Sequence, residues 1–249
     1  MVRLKTALIL AGGKGTRFKE KTLEIPKPMI EANGKPLMSH IMDIYNKYGV
    51  SNFVVLAGYK NEEISKYYST KYVQKDENIF SLPNSVTVTV LDTGLETMTG
   101  GRLRQGIESI DDQDFYLTYG DGIGTIEIDE LTDFYYRNNS LVTLTAMRPP
   151  ARFGSLEIDE NLVIKFGEKD NSNEGWINGG VFVVNRGVLE YLIDDDEPFE
   201  KTPLETIAKQ KFLSAYKHNG FWQPVDTIRE LEILENQLNS VEWKNYLSK

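Results

Sequence analysis

Two short, continuous apolar runs separated by an amphipathic segment constrain the fold of this chain most. Thr6–Leu10 and Phe53–Ala57 show no alternation with polar residues, which is typical of strands buried on both faces. Between them, Pro36 precedes apolar residues at helical spacing, and Gly49 ends that pattern. A strand, a helix and a second buried strand in this order predict a parallel β-α-β unit.

The alternation of strand and helix continues to about residue 147 and then changes to shorter strands. Further strands are predicted at Val86–Leu91, Phe115–Thr118, Leu141–Met147, Gly154–Ile158, Val163–Glu168, Trp176–Val184 and Leu213–Lys217. Helices are predicted from Asn61, near Gly101–Ile110, at Asp129–Arg137, near Gly187–Ile193, at Pro203–Gln210, and from Asp226 to about Leu247. The pattern predicts an α/β fold with a Rossmann-like, mostly parallel (mixed) sheet flanked by helices. Ligands of such sheets bind beyond the carboxyl ends of the strands.

The composition excludes several classes of protein. Among the 249 residues, 28 Lys and Arg stand against 37 Asp and Glu, for a net charge of −9, so nucleic acid is not an expected partner. We expect no membrane span, because no run of about 18 apolar residues occurs. The chain has no cysteine and only two histidines, His40 and His218, which excludes thiolate and His-rich metal sites. No signal peptide is recognisable either, so we expect a cytoplasmic protein.

A glycine loop, Leu10–Arg17 (LAGGKGTR), follows the first predicted strand directly. Glycine allows backbone N–H groups to come close to an anion. Residues 1–27 carry seven basic side chains and two acidic ones, which indicates a polyanionic ligand rather than only a solvated basic surface. The spacing fits neither a P-loop, which would need glycine at Leu8, nor a dinucleotide fingerprint, which would need Gly or Ala at Phe18. If the loop is considered by itself, a tight turn that binds no ligand stays an alternative interpretation.

Pro26-Lys27-Pro28-Met29 is the second unusual segment. Two prolines are expected to hold the backbone extended around a single lysine and to prevent a helix on either side. Taken alone, the segment could equally be a rigid connector with a solvated lysine.

Together, LAGGKGTR and PKPM resemble the sugar nucleotidyltransferases, also called nucleoside-diphosphate-sugar pyrophosphorylases. The resemblance runs from about residue 6 to residue 230. Its base-binding segment is similar to that of the glucose-1-phosphate cytidylyltransferase branch. The other segments that carry the resemblance are Asp92–Gly94, Thr97–Leu103, Phe115–Gly122, Trp176–Gly180 and Gly220–Thr227.

The resemblance implies a nucleotide-diphospho-sugar transferase fold and a defined reaction. A phosphate oxygen of the acceptor attacks the α-phosphorus of CTP and expels pyrophosphate, so that glucose 1-phosphate would give CDP-glucose. It further implies Mg²⁺ as cofactor and a homo-oligomer. The whole chain, residues 1–249, is then one domain, with a nucleotide-binding part at about 1–147, an acceptor-binding part at about 148–225 and C-terminal helices at about 226–249.

The resemblance also assigns roles to individual residues. Arg17 and Lys27 are the catalytic residues, and Asp121 and Asp226 bind the metal. The acceptor is bound by Lys169, Asn178 and Gly179. The nucleotide is bound by Leu10, Ala11, Gly12, Gly13, Lys14, Gly15, Thr16, Arg17, Thr97, Arg102 and Gly120. Of these, Thr97 and Arg102 match the positions that read the pyrimidine, and Gly100-Gly101 would let the backbone approach it.

Several alternatives stay open at this point. Without the resemblance, Gly120-Asp121-Gly122 is a turn as readily as a ligand site, and Asp226 is an N-cap of the last helices. Asp170 stands where the family favours proline, so the acceptor can also be another sugar, polyol or amino-acid phosphate. A different class of function is a non-catalytic module that senses a nucleotide sugar. Such a sensor need not keep Arg17, Lys27 and both aspartates.

Overall fold

One nine-stranded mixed sheet organises the computed structural model, which describes residues 3–149, 155–159, 162–167 and 175–248. The strands, in chain order, are β1 (Thr6–Ala11), β2 (Glu31–Ala32), β3 (Lys35–Pro36), β4 (Asn52–Ala57), β5 (Val73–Asp76), β6 (Ile79–Leu82), β7 (Val86–Asp92), β8 (Asp114–Tyr119), β9 (Gly122–Gly124), β10 (Val142–Met147), β11 (Ser155–Asp159), β12 (Leu162–Gly167), β13 (Ile177–Asn185), β14 (Leu213–Lys217) and β15 (Trp222–Pro224). The order across the main sheet is β14-β10-β13-β8-β1-β4-β7-β6-β5.

The centre of the sheet is parallel. β1 pairs in parallel with β4 on one side and with β8 on the other, and β4 pairs in parallel with β7. β13 lies antiparallel between β8 and β10, and β6 and β5 extend the other end antiparallel. The prediction of a mixed α/β sheet is therefore confirmed, and the carboxyl ends of β1, β4, β7 and β8 open on one edge.

Helices cover both faces of this sheet. They are α1 (Lys19–Thr22), α2 (Leu37–Lys47), α3 (Asn61–Lys71), α4 (Thr99–Glu108), α5 (Ile128–Asn138), α6 (Thr202–Lys209), α7 (Ile228–Leu238) and α8 (Val241–Ser248). Ala7 and Ile9 of β1 pack in the core shared with α2, α5, α7 and α8, while Leu8 and Leu10 pack in the core shared with α4 and α6. Because both faces of β1 are covered, its uninterrupted apolar run has a direct structural reason.

The structure departs from the sequence predictions at several places, and the short elements α1, β2, β3, β9 and β15 were not predicted. The β5–β6 hairpin was not predicted, because every residue of β5 is exposed and carries no apolar alternation. The helix predicted near Gly187–Ile193 is a 3-10 helix at Arg186–Tyr191. Lys27–Met29 forms a 3-10 turn, so the expected extended backbone holds at Pro26 and is wrong at Lys27.

Within the described residues, no helix is long and apolar enough to cross a bilayer.

Candidate active site

A cleft of about 640 Å³ opens at the carboxyl edge of the parallel strands. Every residue that the sequence assigned to the nucleotide, the metal or catalysis lines this cleft. The lining also includes residues without a predicted role, among them Leu95, Glu96, Met98, Tyr119 and Glu200. The two histidines do not line it. The cleft therefore gathers side chains from widely separated parts of the sequence.

A small antiparallel ladder brings the two predicted metal ligands together. β9 begins directly after Asp121, and it pairs with β15, which ends two residues before Asp226. The backbone N–H of Val225 donates to the Asp121 carbonyl over 3.0 Å. The two aspartates, distant in sequence, thus lie side by side at the end of the ladder.

Lys27 lies between these two carboxylates. Its Nζ is 2.6 Å from Asp121 Oδ2 and 2.6 Å from Asp226 Oδ1, and only 11% of the lysine side chain is exposed. Burial by itself lowers the pKa of Lys27, but the hydrogen bonds and charges of both aspartates outweigh it and hold the pKa above its usual value. Lys27 is therefore a fixed cation at neutral pH.

Arg17 extends the same charge network toward solvent. Its Nη1 is 2.8 Å from Asp226 Oδ2, while 80% of the arginine side chain is exposed. An exposed ion pair of this kind contributes little to stability, about 0–1 kcal/mol, so Arg17 can exchange its partner for a ligand at small cost.

The capping interpretation of Asp226 is wrong. α7 begins at Ile228 and its N-cap is Thr227, whose Oγ1 accepts from the Glu230 N–H over 3.3 Å. Glu230 Oε2 in turn accepts from the N–H of Asp226, one residue before the N-cap, over 2.8 Å. The Asp226 carboxylate is thus not needed by the helix, and it binds Lys27 and Arg17 instead.

Arg102 fastens the glycine loop to the loops beside it. Its side chain is buried, and Nη1 donates to the carbonyls of Ala57 (3.0 Å) and Gly94 (2.8 Å), while Nη2 donates to the Gly12 carbonyl (3.3 Å). A Cβ at Gly12 would lie 2.1 Å from Arg102 Cζ, so a side chain there would displace the guanidinium from these bonds. Burial lowers the pKa of Arg102, and the charges of Asp92 and Glu96 partly offset this. A contact between Arg102 and the pyrimidine stays a prediction.

A second connection crosses the mouth of the cleft. Lys14 Nζ, on the glycine loop, is 2.7 Å from Glu96 Oε1, on the opposite loop. Both side chains are largely exposed, at 48% and 76%, so the pair is held in water rather than in the protein interior. Lys14 is thus free to turn to an anion in the cleft.

The glycines at the start of α4 pack closely against a segment near residue 197. A Cβ at Gly100 would lie 2.5 Å from the Glu197 carbonyl oxygen, and a Cβ at Gly101 would lie 2.6 Å from Asp195 Oδ1. These glycines therefore admit the segment Asp195–Glu200, and an approach of their backbone to the pyrimidine stays a prediction. Leu95–Thr99 ends on the first residue of α4 and includes Thr97, which is predicted to read the pyrimidine, and we call it the base loop for that prediction.

Tyr119 links the cleft to the predicted acceptor side. Its hydroxyl donates to Glu200 Oε1 over 2.5 Å and accepts from Asn178 Nδ2 over 3.3 Å. Burial and the neighbouring Glu200 carboxylate raise the pKa of Tyr119 far above its usual value, so it remains protonated. Asn178 and Gly179 lie next to this network and do not line the cleft. Lys169 lies outside the described residues.

Glu200 and Tyr119 are cleft residues that sequence reasoning missed. Glu200 follows Pro198-Phe199 in a segment without any motif, so no sequence signal identified it. Tyr119 directly precedes the Gly-Asp-Gly motif, and that position at a strand end was a signal that could have found it.

Known proteins with similar sequences and folds place this geometry in a family. Residues 6–236 match the family model described as "Nucleotidyl transferase". The chain is 39% identical to glucose-1-phosphate cytidylyltransferase of Salmonella typhi, over 96% of this chain and 99% of that protein. It is also 39% identical to a probable glucose-1-phosphate cytidylyltransferase of Bacillus subtilis, over 90% and 92% of the two chains.

A solved structure supports the fold. The structure of HddC from Yersinia pseudotuberculosis superimposes with a TM-score of 0.73 at 22% identity, over 95% of this chain and 100% of that chain. By its family match and by its identity with the curated relatives over nearly their full length, the chain belongs to the nucleotidyl transferase family.

Proposed function

We propose that this protein transfers CMP from CTP to glucose 1-phosphate, giving CDP-glucose and pyrophosphate. The observation that carries the proposal is the buried Lys27 ammonium, held 2.6 Å from each of two carboxylates at the end of the glycine loop. The relatives that are 39% identical over almost the whole chain are named for this activity. A nucleotide-sensing module would not need this charge network.

The proposed chemistry needs positioning and charge neutralisation rather than a general base. A phosphate monoester is already a nucleophile at pH 7, so the protein's task is to hold two polyanions in line. The backbone N–H groups of Gly12–Thr16 would bind the triphosphate, and Arg17 would exchange Asp226 for the departing pyrophosphate. Lys27 would stabilise the charge on the phosphoryl group as it is transferred.

Asp121 and Asp226 fit a divalent cation that is shared with a nucleotide. One oxygen of each lies 2.6 Å from the same Lys27 nitrogen, so the two carboxylates are within reach of a single ion. Among the described residues, no group of three or more His, Cys, Asp or Glu could hold a metal. Two carboxylates together with substrate phosphates are the usual environment of Mg²⁺, and bound there it would withdraw charge from the α-phosphate.

The acceptor is proposed to enter beside Tyr119. Asn178 and Gly179 follow the first residue of β13 outside the lining of the cleft, and Asn178 donates to the hydroxyl of the lining residue Tyr119. Gly179 has no space for a side chain, because a Cβ would lie 2.2 Å from Met147 Cγ. We keep Lys169, which lies outside the described residues, as a proposed acceptor ligand.

A pyrophosphate-release assay with a matrix of substrates tests the proposal. CTP, UTP, dTTP and ATP are each offered with glucose 1-phosphate, other sugar 1-phosphates, polyol phosphates and amino-acid phosphates. We expect the highest kcat/KM with CTP and glucose 1-phosphate. If kcat/KM is higher with another acceptor, that acceptor and not glucose 1-phosphate is the substrate. If kcat/KM is higher with another nucleotide, the assignment as a cytidylyltransferase is wrong. Binding of CTP without turnover of any acceptor would favour the sensor.

A further inference from the structure

Glu200 differs from the other three carboxylates that line the cleft. Glu96 is paired with Lys14, and Asp121 and Asp226 are paired with Lys27, whereas Glu200 makes no ion pair among the described residues. It is not a third metal ligand, because among the described residues no cluster of three carboxylates or histidines could hold an ion. A carboxylate at this place repels phosphate, so a favourable role for it requires a neutral hydrogen-bond donor on the ligand.

The position of Glu200 is fixed by the base loop itself. The Met98 N–H donates to the Asp195 carbonyl over 2.9 Å, and the Gly100 N–H donates to the Glu197 carbonyl over 3.1 Å. Phe199, next to Glu200, is fully buried, and its N–H donates to Thr99 Oγ1 over 2.8 Å. The segment 195–200 thus runs along the base loop and delivers the Glu200 side chain into the cleft beside it.

The two protein partners of Glu200 leave part of its acceptor capacity unused. Oε2 accepts from Thr99 Oγ1 over 2.6 Å, and Oε1 accepts from the Tyr119 hydroxyl over 2.5 Å. Both partners are neutral hydroxyl donors, and an ionised carboxylate has about four acceptor positions. The carboxylate is therefore oriented from two sides and can still accept hydrogen bonds from a ligand in the cleft.

We propose that Glu200 accepts a hydrogen bond from the exocyclic amine of the bound base and thereby selects cytosine over uracil. The inference rests on the proposed function, since it assumes a pyrimidine nucleotide next to the base loop. Cytosine presents the N4 amine, a donor that pairs with a carboxylate, where uracil presents the O4 acceptor. With uracil, two oxygens would face each other without a proton between them, which is unfavourable in a half-buried site such as that of Glu200.

The test compares Glu200→Gln with Glu205→Gln as a matched control. Glu205 lies five residues further along the chain, on α6, and is exposed outside the cleft. The measurement is kcat/KM for CTP, UTP and dCTP with a common acceptor, together with circular dichroism and melting of each variant. Glutamine can donate to O4, so we expect Glu200→Gln to lower the CTP-to-UTP ratio about tenfold or more. Glu205→Gln should leave the ratio unchanged.

A second variant protects the test against a failure of Glu200→Gln to fold. Tyr119→Phe keeps the carboxylate and removes one of the two hydroxyls that orient it, so we expect the CTP-to-UTP ratio to fall by a smaller factor. An equal loss of activity with CTP and UTP in folded Glu200→Gln would overturn the proposal. A change confined to the CTP-to-dCTP ratio would also overturn it, because the carboxylate would then bind a ribose hydroxyl. The wild-type preference for CTP tests the proposed function separately.

Discussion

At Lys27 the local backbone determines where a buried cation is placed. Pro26 is extended, with φ −69° and ψ 150°, and Lys27 then begins a 3-10 turn with Pro28 in its first turn. Proline is tolerated there because a backbone N–H in the first turn of a helix would have no hydrogen-bond partner within the helix, so nothing is lost when proline lacks it. The turn holds the lysine at a fixed place, from which its ammonium reaches Asp121 and Asp226. The family resemblance predicted a catalytic role for this lysine, and no sequence pattern predicted the turn that presents it.

Replacing Lys27 tests this fixed charge. Lys27→Ala should lower kcat more than it raises KM, because the charge matters most as the phosphoryl group is transferred. We expect a loss of about 2–4 kcal/mol, or roughly 10²–10³-fold in kcat. Lys27→Arg should restore only part of the activity, since a planar guanidinium places its charge differently. The measurement is steady-state pyrophosphate release together with calorimetric CTP binding.

The control is Lys35→Ala, which removes a lysine from an ion pair with Asp43 outside the cleft. We expect kcat and KM of this variant to match the wild type. If Lys27→Ala kept its kcat, Pro26-Lys27-Pro28 would be a connector and the proposed catalytic role would be wrong.

At the scale of elements, the start of α7 separates a structural residue from a functional one. Thr227 caps the helix, whereas its neighbour Asp226 directs its carboxylate to Lys27. Thr227→Ala should lower the free energy of unfolding by about 0.5–2 kcal/mol and leave most of the activity.

Asp226→Asn keeps an acceptor for Lys27 but removes a proposed metal ligand, so activity should fall at least about 100-fold with the fold retained. The measurements are urea unfolding and pyrophosphate release with varied Mg²⁺.

The reverse pattern would contradict these assignments. If Asp226→Asn were inactive only because the variant is unfolded, this aspartate would have a structural role and not a metal-binding one. Full wild-type activity in excess EDTA would reject the metal role of both aspartates.

The elements that could be predicted from sequence are those whose pattern is set by burial. β1 and β4 are apolar throughout because both faces are covered, so they were found nearly at their observed bounds. The exposed strand β5 and the short ladder of β9 with β15 carry no such pattern. That ladder brings the two metal candidates together, so their proximity could be inferred only from the family resemblance. Glu200 depends on the contact of segment 195–200 with the base loop, a tertiary feature with no local signal.

At the scale of the whole molecule, the cleft joins parts of the chain that lie far apart in sequence. The glycine loop follows β1 near one end of the chain, and Asp226 precedes α7 near the other. The glycine loop follows a strand of the nine-stranded sheet, whereas Asp226 follows β15, whose separate ladder with β9 comes directly after β8 of that sheet. A ligand that bridges these parts should therefore stabilise the described fold as one unit, and the prediction of a single domain can be tested in the same experiment.

Calorimetric melting with Mg²⁺ and CTP should show one transition that moves to higher temperature. Binding to the folded state alone contributes about 2.7 kcal/mol at a ligand concentration of 100 Kd, which corresponds to a rise in Tm of about 5–10 °C for a chain of this size. CTP in EDTA should give a smaller rise, because Asp121 and Asp226 then add no metal bridge to the phosphates. Asp226→Asn should remove the Mg²⁺-dependent part of the rise and keep the rest. Two separate transitions would contradict the single domain, and equal rises with Mg²⁺ and EDTA would show that the nucleotide binds without a metal held by these aspartates.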